Sequence, residues 1–400
     1  MIRSIVQLPR RGLACRTLPI ATGPEDARRD KYRDGPQYAR GWGRDGSRLP
    51  GEDADGKLDR VEALAADGIT VTFGAGHKGK IASIAHLADW LEKERIALLH
   101  THSYRPNLYG RMAGVLRRGD GLRLVAHYHN QYDDKWREGS EALLLERQLA
   151  SQTDAMVAVS AAVRYHVAQA LGRDPAAISV VENGVDVDRL AGGRRDFVRR
   201  EFGLADDDMV VGLVGRICEQ KGQDDLVAAA RLISSRHPRL RYLMVGDEED
   251  KDLCRRLRRD IVSAGLDRII HFTGFRRDMA NIYAAIDILA APSRWEGFGL
   301  MLVEAMAAGV PIVASNVGAI ADVLGGGENG LLVAPRDPAR LGDAISRLAS
   351  EPRLRETLAA AGRRRARRYS WDGAARQIAD LHEALLSSPR PGSSISAGTS

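Results

Sequence analysis

"VVGLVGRICEQKGQDDLVAAA", residues 210–230, decides the fold. Its opening run of apolar and β-branched residues has the character of a strand buried on both faces. Gly215-Arg216 ends that run, a short loop follows, and Lys221-Gly222 opens an amphipathic stretch expected to be a helix. The unit recurs downstream: "LRYLMVGD" begins at 240, "IIHFTGF" at 269, "IDILAAPS" at 286, "PIVASN" at 311 and "GLLVAP" at 330, each followed or preceded by helical sequence. Upstream, "GITVTF", "IALLHTH", "LRLVAHYH", "AMVAVS" and "ISVVENG" alternate with helical stretches such as "IASIAHLADWLEKER". Alternation of this kind predicts α/β architecture with parallel sheets, doubly wound and Rossmann-like, in two domains.

The Gly/Arg-rich "AGGRRDF" at 191–197 marks the boundary, so the domains are expected at 61–190 and 191–370. Residues 371–387 are expected as a C-terminal helix packing back on the first domain, and 388–400 as a disordered Ser/Gly/Pro tail. Residues 1–60 differ: only "SIVQL" at 4–8 reads as a strand, and the rest shows neither helical nor strand period. This segment is expected to be irregular, either disordered or a misread coding stretch.

The chain has 400 residues, 44% hydrophobic and 28% charged, which gives ample material for globular cores. A net charge of +6, spread along the chain, is compatible with a phosphate-bearing ligand or peripheral membrane contact. Aromatic residues are only 5%, too few for the stacking platforms of single-strand binders, so no nucleic-acid partner is expected. Cys15, Cys218 and Cys254 lie far apart without metal or disulfide spacing. With no signal peptide or spanning segment legible, a cytoplasmic protein is expected.

Chemistry concentrates at a few positions. In "RWEGFGLMLVEAMAAGVP", residues 294–311, Glu296 sits in a turn and Leu300 to Ala308 reads as a helix closed by Gly309 and Pro311. The backbone amides of Gly297, Phe298, Gly299 and Leu300 are then the unpaired donors of a helix N-terminus, a cradle for hydroxyls or phosphate oxygens. Eight helical steps put Glu304 roughly 80° from two full turns after Glu296, so both acids can face one ligand at different depths. For two acids taken at random, a cap and a solvated residue would be the ordinary reading. Arg216 and Lys221, beside a helix start, suit a diphosphate: one as a planar fork, the other as a point charge.

His100, His102, His127 and His129 end two neighbouring strands. Their spacing invites a metal reading, but no nearby Cys, Asp or Glu completes a ligand set; hydrogen-bonded lining positions are expected, with direct ligand contact for His129. Asp186-Val-Asp188 is expected to open a connection after the Asn183-Gly184 turn rather than to bind metal, "GGGENG" at 325–330 is no dinucleotide fingerprint, and the Arg run at 363–368 is expected as a solvated face.

Taken in order, "HTHS" at 100–103, "HYHN" at 127–130, "AMVAVS" at 155–160, "VVENGVDVDRL" at 180–190, "GRICEQKG" at 215–222, "FTGF" at 272–275 and the E-x7-E pair make the chain resemble the retaining family 4 glycosyltransferases from about residue 61 to 387. The resemblance implies a GT-B fold, two Rossmann-like domains facing a central cleft. It also implies transfer of a sugar from a UDP- or GDP-sugar to a hydroxyl acceptor, without a metal or cofactor, the nucleotide-sugar being a substrate. It assigns Arg216 and Lys221 to the diphosphate, Glu304 to the ribose, and Glu296 with the amides of Phe298, Gly299 and Leu300 to the donor sugar. It sets His129 against that sugar from the opposite domain and the Gly274-Phe275 loop beside the base. Acceptors in such families are small metabolites, glycans or lipids. Two other readings of the same architecture are a non-hydrolysing nucleotide-sugar epimerase and a nucleotide-sugar-binding protein without turnover.

Overall fold

The computed structural model describes residues 4–9, 16–19, 70–71 and 80–388 except 133 and 134. Apart from two strands, the expectations for residues 1–60 lie outside the described residues, as does nearly all of the 388–400 tail. The chain divides into two compact units: Met1–Ala158, Arg164–Val180 and Ala379–Ser400 in the first, Val159–Val163 and Val181–Ile378 in the second.

The first unit is built on a seven-stranded sheet ordered β3-β2-β1-β4-β5-β6-β7. The strands are β1 (Ser4–Pro9), β2 (Arg16–Pro19), β3 (Thr70–Val71), β4 (Ile96–His102), β5 (Arg123–Tyr128), β6 (Ala155–Ala158) and β7 (Ile178–Val180). β4 to β7 are parallel, and Leu98, Leu99, Leu124, Val125 and Val157 in them are wholly buried, as apolar runs without alternation require. β1 pairs antiparallel with both neighbours. It lies outside the alternating series that predicts a parallel sheet, so the pattern carries no information on its direction. Beside the parallel strands a buried ion pair joins Arg111 to Glu146, and Tyr128 donates its hydroxyl to the same carboxylate at 2.8 Å. Both charges are thereby partnered, which a buried pair needs.

The second unit holds six parallel strands: β8 (Met209–Val214), β9 (Leu240–Val245), β10 (Ile270–Gly274), β11 (Ile288–Ala291), β12 (Ile312–Ser315) and β13 (Leu331–Val333). Their order is β10-β9-β8-β11-β12-β13. The chain winds outward from β8 in one direction and then restarts at β11 in the other, so a crevice opens between the carboxyl ends of β8 and β11. The opening sequence motif and the E-x7-E segment follow those two strands.

Helices cover the sheet through single apolar faces. Gln223–Ile233 buries Leu226, Val227, Ala229, Ala230 and Ile233. Lys251–Ser263 buries Leu253, Cys254, Leu257 and Ile261 and begins on Asp250, whose carboxylate accepts from the Leu253 amide at 2.9 Å. Each fully buried Leu or Ile stabilises by about 1.5–3 kcal/mol. The last helix, Trp371–Ser387, begins in the second unit and ends in the first. Just before it, Ser370 forms a parallel bridge with Val185, whose amide also donates to the Tyr369 carbonyl at 2.9 Å. No helix among the described residues is long and apolar enough to cross a membrane.

Candidate active site

After β8 the chain turns through Cys218 into a short 3-10 turn, Glu219–Lys221, that ends on Gly222 at φ 66°. A Cβ at Gly222 would stand 2.2 Å from the Pro292 carbonyl oxygen, so the residue is glycine because this loop lies against the end of β11. That contact brings two distant pieces of sequence together. The Lys221 ammonium donates to Glu296 Oε2 at 2.6 Å, and each side chain keeps only about a tenth of its surface, 12% and 11%.

Glu296 is held from several sides. Its carbonyl accepts from the Ala319 amide at 3.2 Å, and Gln220 donates to the carbonyl of Trp295 at 3.0 Å. Ser160, which belongs to the same unit, donates its hydroxyl to the Gly297 carbonyl at 2.6 Å. The helix Leu300–Ala308 then starts from Gly299 at φ 86°, a cap without a side-chain bond. Its first amides are left to whatever approaches that end. Phe298 is buried, its ring edge-on to Tyr369 with centroids 5.7 Å apart, so this residue offers a ligand its backbone rather than its side chain.

Because the helix begins at Leu300, Glu296 is not on it, and helical phase does not relate the two glutamates. What relates them is Lys221. It pairs with Glu296 and its charge also acts on Glu304. Burial raises the Glu304 carboxyl above its usual range, while the Tyr283 hydroxyl, donating to Oε2 at 2.8 Å, and the charges of Arg189 and Lys221 pull it back.

Arg216 lies nearer solvent, its guanidinium paired with Glu249 and its carbonyl accepting from Gln223 at 2.9 Å. Gly274 ends β10 and Phe275 follows it, two strands from β8, about 10 Å along the carboxyl edge. Phe275 is 58% exposed.

The structure therefore gathers Arg216, Lys221, Glu296, Phe298, Gly299, Leu300 and Glu304 about the crevice of the second unit, with Gly274 and Phe275 further along the same edge. His129 lies in the first unit, bonded to His102 at 3.0 Å between its Nε2 and the partner's Nδ1. Sequence reading missed Tyr283, which looks like any core aromatic, and Ser160, Gln220 and Glu249, which carry no pattern. It also missed His382, whose Nε2 meets Nδ1 of His100 at 2.9 Å.

Asp186 caps the helix Val187–Ala191 by accepting from the Arg189 amide, as expected of a connection. The Arg run is not wholly a solvated face. Arg365 donates to the carbonyls of Val323 and Asp322, closing the C-terminus of the helix Ile320–Val323.

The family described as Glycosyl transferases group 1 matches residues 208–351, and that described as Glycosyltransferase Family 4 matches 48–189. The chain is 30% identical over 312 residues to a D-inositol 3-phosphate glycosyltransferase of Corynebacterium urealyticum, covering 74% of this chain and 73% of the relative. To the protein of that name from Corynebacterium kroppenstedtii it is 31% identical over 310 residues, 73% of this chain and 68% of the relative. Among solved structures, Anabaena HepE in complex with UDP-glucose is similar with a TM-score of 0.73 and 25% identity, over 81% of this chain and 88% of that one.

Proposed function

Since the chain belongs to the group 1 and family 4 glycosyltransferases, with a GT-B fold, we propose that it takes its sugar from a UDP-sugar in preference to a GDP-sugar. Transfer to a hydroxyl acceptor then keeps the anomeric configuration and uses no metal at the diphosphate. The observation that carries this reading is the buried Lys221–Glu296 pair at the point where the sheet reverses its winding, joining the loop after β8 that also bears Arg216 to the head of a glycine-led helix.

As the bond from the sugar to the diphosphate breaks, negative charge grows on the leaving oxygens. Lys221, Arg216 and the amides of Phe298, Gly299 and Leu300 stabilise it from fixed positions. The departing phosphate oxygen takes the proton of the acceptor hydroxyl, which attacks the face just vacated. Glu296 holds the donor sugar's hydroxyls and Glu304 those of the ribose. A relative solved with UDP-glucose supports the uridine donor, and relatives named for D-inositol 3-phosphate make a phosphorylated cyclitol the first acceptor to try. The free thiols of Cys218 and Cys254 fit a reducing, cytoplasmic setting.

The test is product formation from UDP- and GDP-sugars with such acceptors, followed by mass spectrometry. The anomeric proton coupling in the product should equal that of the donor; an inverted linkage removes the same-face mechanism. Glu296→Gln should lower kcat by about 10²-fold or more. UDP should bind as well as before or more tightly, because the change also frees Lys221 from its internal partner. Parallel losses of turnover and UDP affinity would take Glu296 away from the sugar.

A further inference from the structure

The first unit contains a knot of five imidazoles. His100 and His102 stack with centroids 4.3 Å apart, His127 lies 5.4 Å from His100 and 5.0 Å from His102, and His129 and His382 flank them. Four buried ring nitrogens have no hydrogen-bond partner among the described residues: Nε2 of His100, Nε2 of His102 and both nitrogens of His127. A buried polar atom left bare costs about 1–3 kcal/mol. Four on three adjoining rings of one cluster call for an occupant.

The outer bonds indicate which. Nδ1 of His100 faces His382 and Nδ1 of His102 faces His129, at 2.9 and 3.0 Å. With each Nδ1 donating, both Nε2 atoms are unprotonated lone pairs, and His382 and His129 hold the rings as the outer partners of metal-bound histidines usually do. We propose that His100, His102 and His127 bind a divalent transition-metal ion of the zinc type, oriented by His382 and His129. One ring nitrogen from each of the three lies within 4.8 Å of the others. A tetrahedral zinc site, with Zn–N bonds of about 2.0–2.1 Å, needs roughly 3.3 Å between ligands, so binding draws the rings together by about an ångström.

Neutral imidazoles without carboxylates select zinc, nickel or copper over magnesium or calcium, and three of them leave a fourth position for water. Burial lowers all five imidazoles, and repulsion from neighbouring rings adds to it at His100, His102 and His127, with His102 at about 3, so protons do not compete for the lone pairs near neutral pH. None of the proposed ligands is a diphosphate residue; those all belong to the second unit. The ion's work is to fasten the end of the last helix, which carries His382, to β4.

The experiment uses the untagged full chain, stripped with chelator and titrated with Zn2+ and Co2+. One Zn2+ per chain by elemental analysis is expected, together with a rise in Tm and a visible Co2+ spectrum of tetrahedral intensity. His102→Ala and His127→Ala should each weaken Zn2+ binding by about 100-fold, whereas His86→Ala and His237→Ala, outside the cluster, should leave it unchanged. Absence of saturable binding by the wild-type chain overturns the proposal, and so does tight binding that persists in a folded His127→Ala variant. The Co2+ spectrum of the wild-type chain decides the matter even if the cluster variants do not fold.

Discussion

Lys221→Ala is expected to lower turnover by about 10²–10³-fold, the effect of removing one preorganised donor from a developing oxyanion. The ammonium sits 2.6 Å from Glu296 and acts electrostatically on Glu304, so it touches the environment of both acids. Its loss should also weaken binding of free nucleoside diphosphate, and adding Arg216→Ala should abolish it, as isothermal calorimetry would show. The substitution strands the Glu296 carboxylate with 11% of its surface exposed, which destabilises the fold by itself. Lys221→Ala combined with Glu296→Gln removes that strain. The double variant should recover stability and stay inactive. If the folded double variant binds nucleoside diphosphate as tightly as Glu296→Gln alone, Lys221 is a structural counter-ion and not a diphosphate ligand.

Acidification from pH 7 to 5 in chelator should unfold the first unit before the second. The direction follows from the histidine cluster: burial holds His102 at about 3 and His129 and His382 at about 4, against 6.5 for a free imidazole. Above 6.5 both folded and unfolded chains are neutral there and nothing changes. As pH falls through 6.5 the unfolded chain takes up protons that the folded one refuses, and the loss continues until the folded values are reached. Each such group contributes about 1.4 kcal/mol per pH unit, hence about 2 kcal/mol at pH 5 and roughly 6 kcal/mol for the three. That rivals the whole stability of an ordinary domain. Urea unfolding at pH 7, 6 and 5 checks it, and His102→Gln should reduce the slope. A stability that stays flat across this range would mean the imidazoles are protonated or solvated in the native state.

The second unit was legible because its chemistry is local to single turns. Residues 210–230 contain strand, loop and helix start, and the glycine that the loop needs stands in the motif itself. The E-x7-E segment shows its helix start through Gly299 and its end through Gly309. Features that depend on pairing across long separations left no trace. His382 meets His100 across 282 residues, and a histidine on a helix face looks the same whether it faces solvent or four other imidazoles. Tyr283 reaches Glu304 from another helix, and Arg365 closes a helix that precedes it by more than forty residues. Periodicity reports which face is buried, not which polar atoms meet there.

The bridge between Val185 and Ser370 has a consequence for the way the chain assembles. Apart from Val159–Val163, the second unit is an insertion: the chain leaves the first unit after Val180 and rejoins it at Ala379. The bridged residues stand about 185 positions apart in sequence. Were that stretch a random coil, bringing its ends together would cost about 4–5 kcal/mol in chain entropy. Folded and fastened at the bridge, it presents the remainder of the chain with the equivalent of a short hairpin. The strand Ile178–Val180 and the helix end that bears His382 are then near neighbours in chain terms, although nearly two hundred residues separate them in sequence. The order of events is thereby biased, since the inserted segment holds all six strands of its own sheet while the host gains its closing helix cheaply only once the insert has folded.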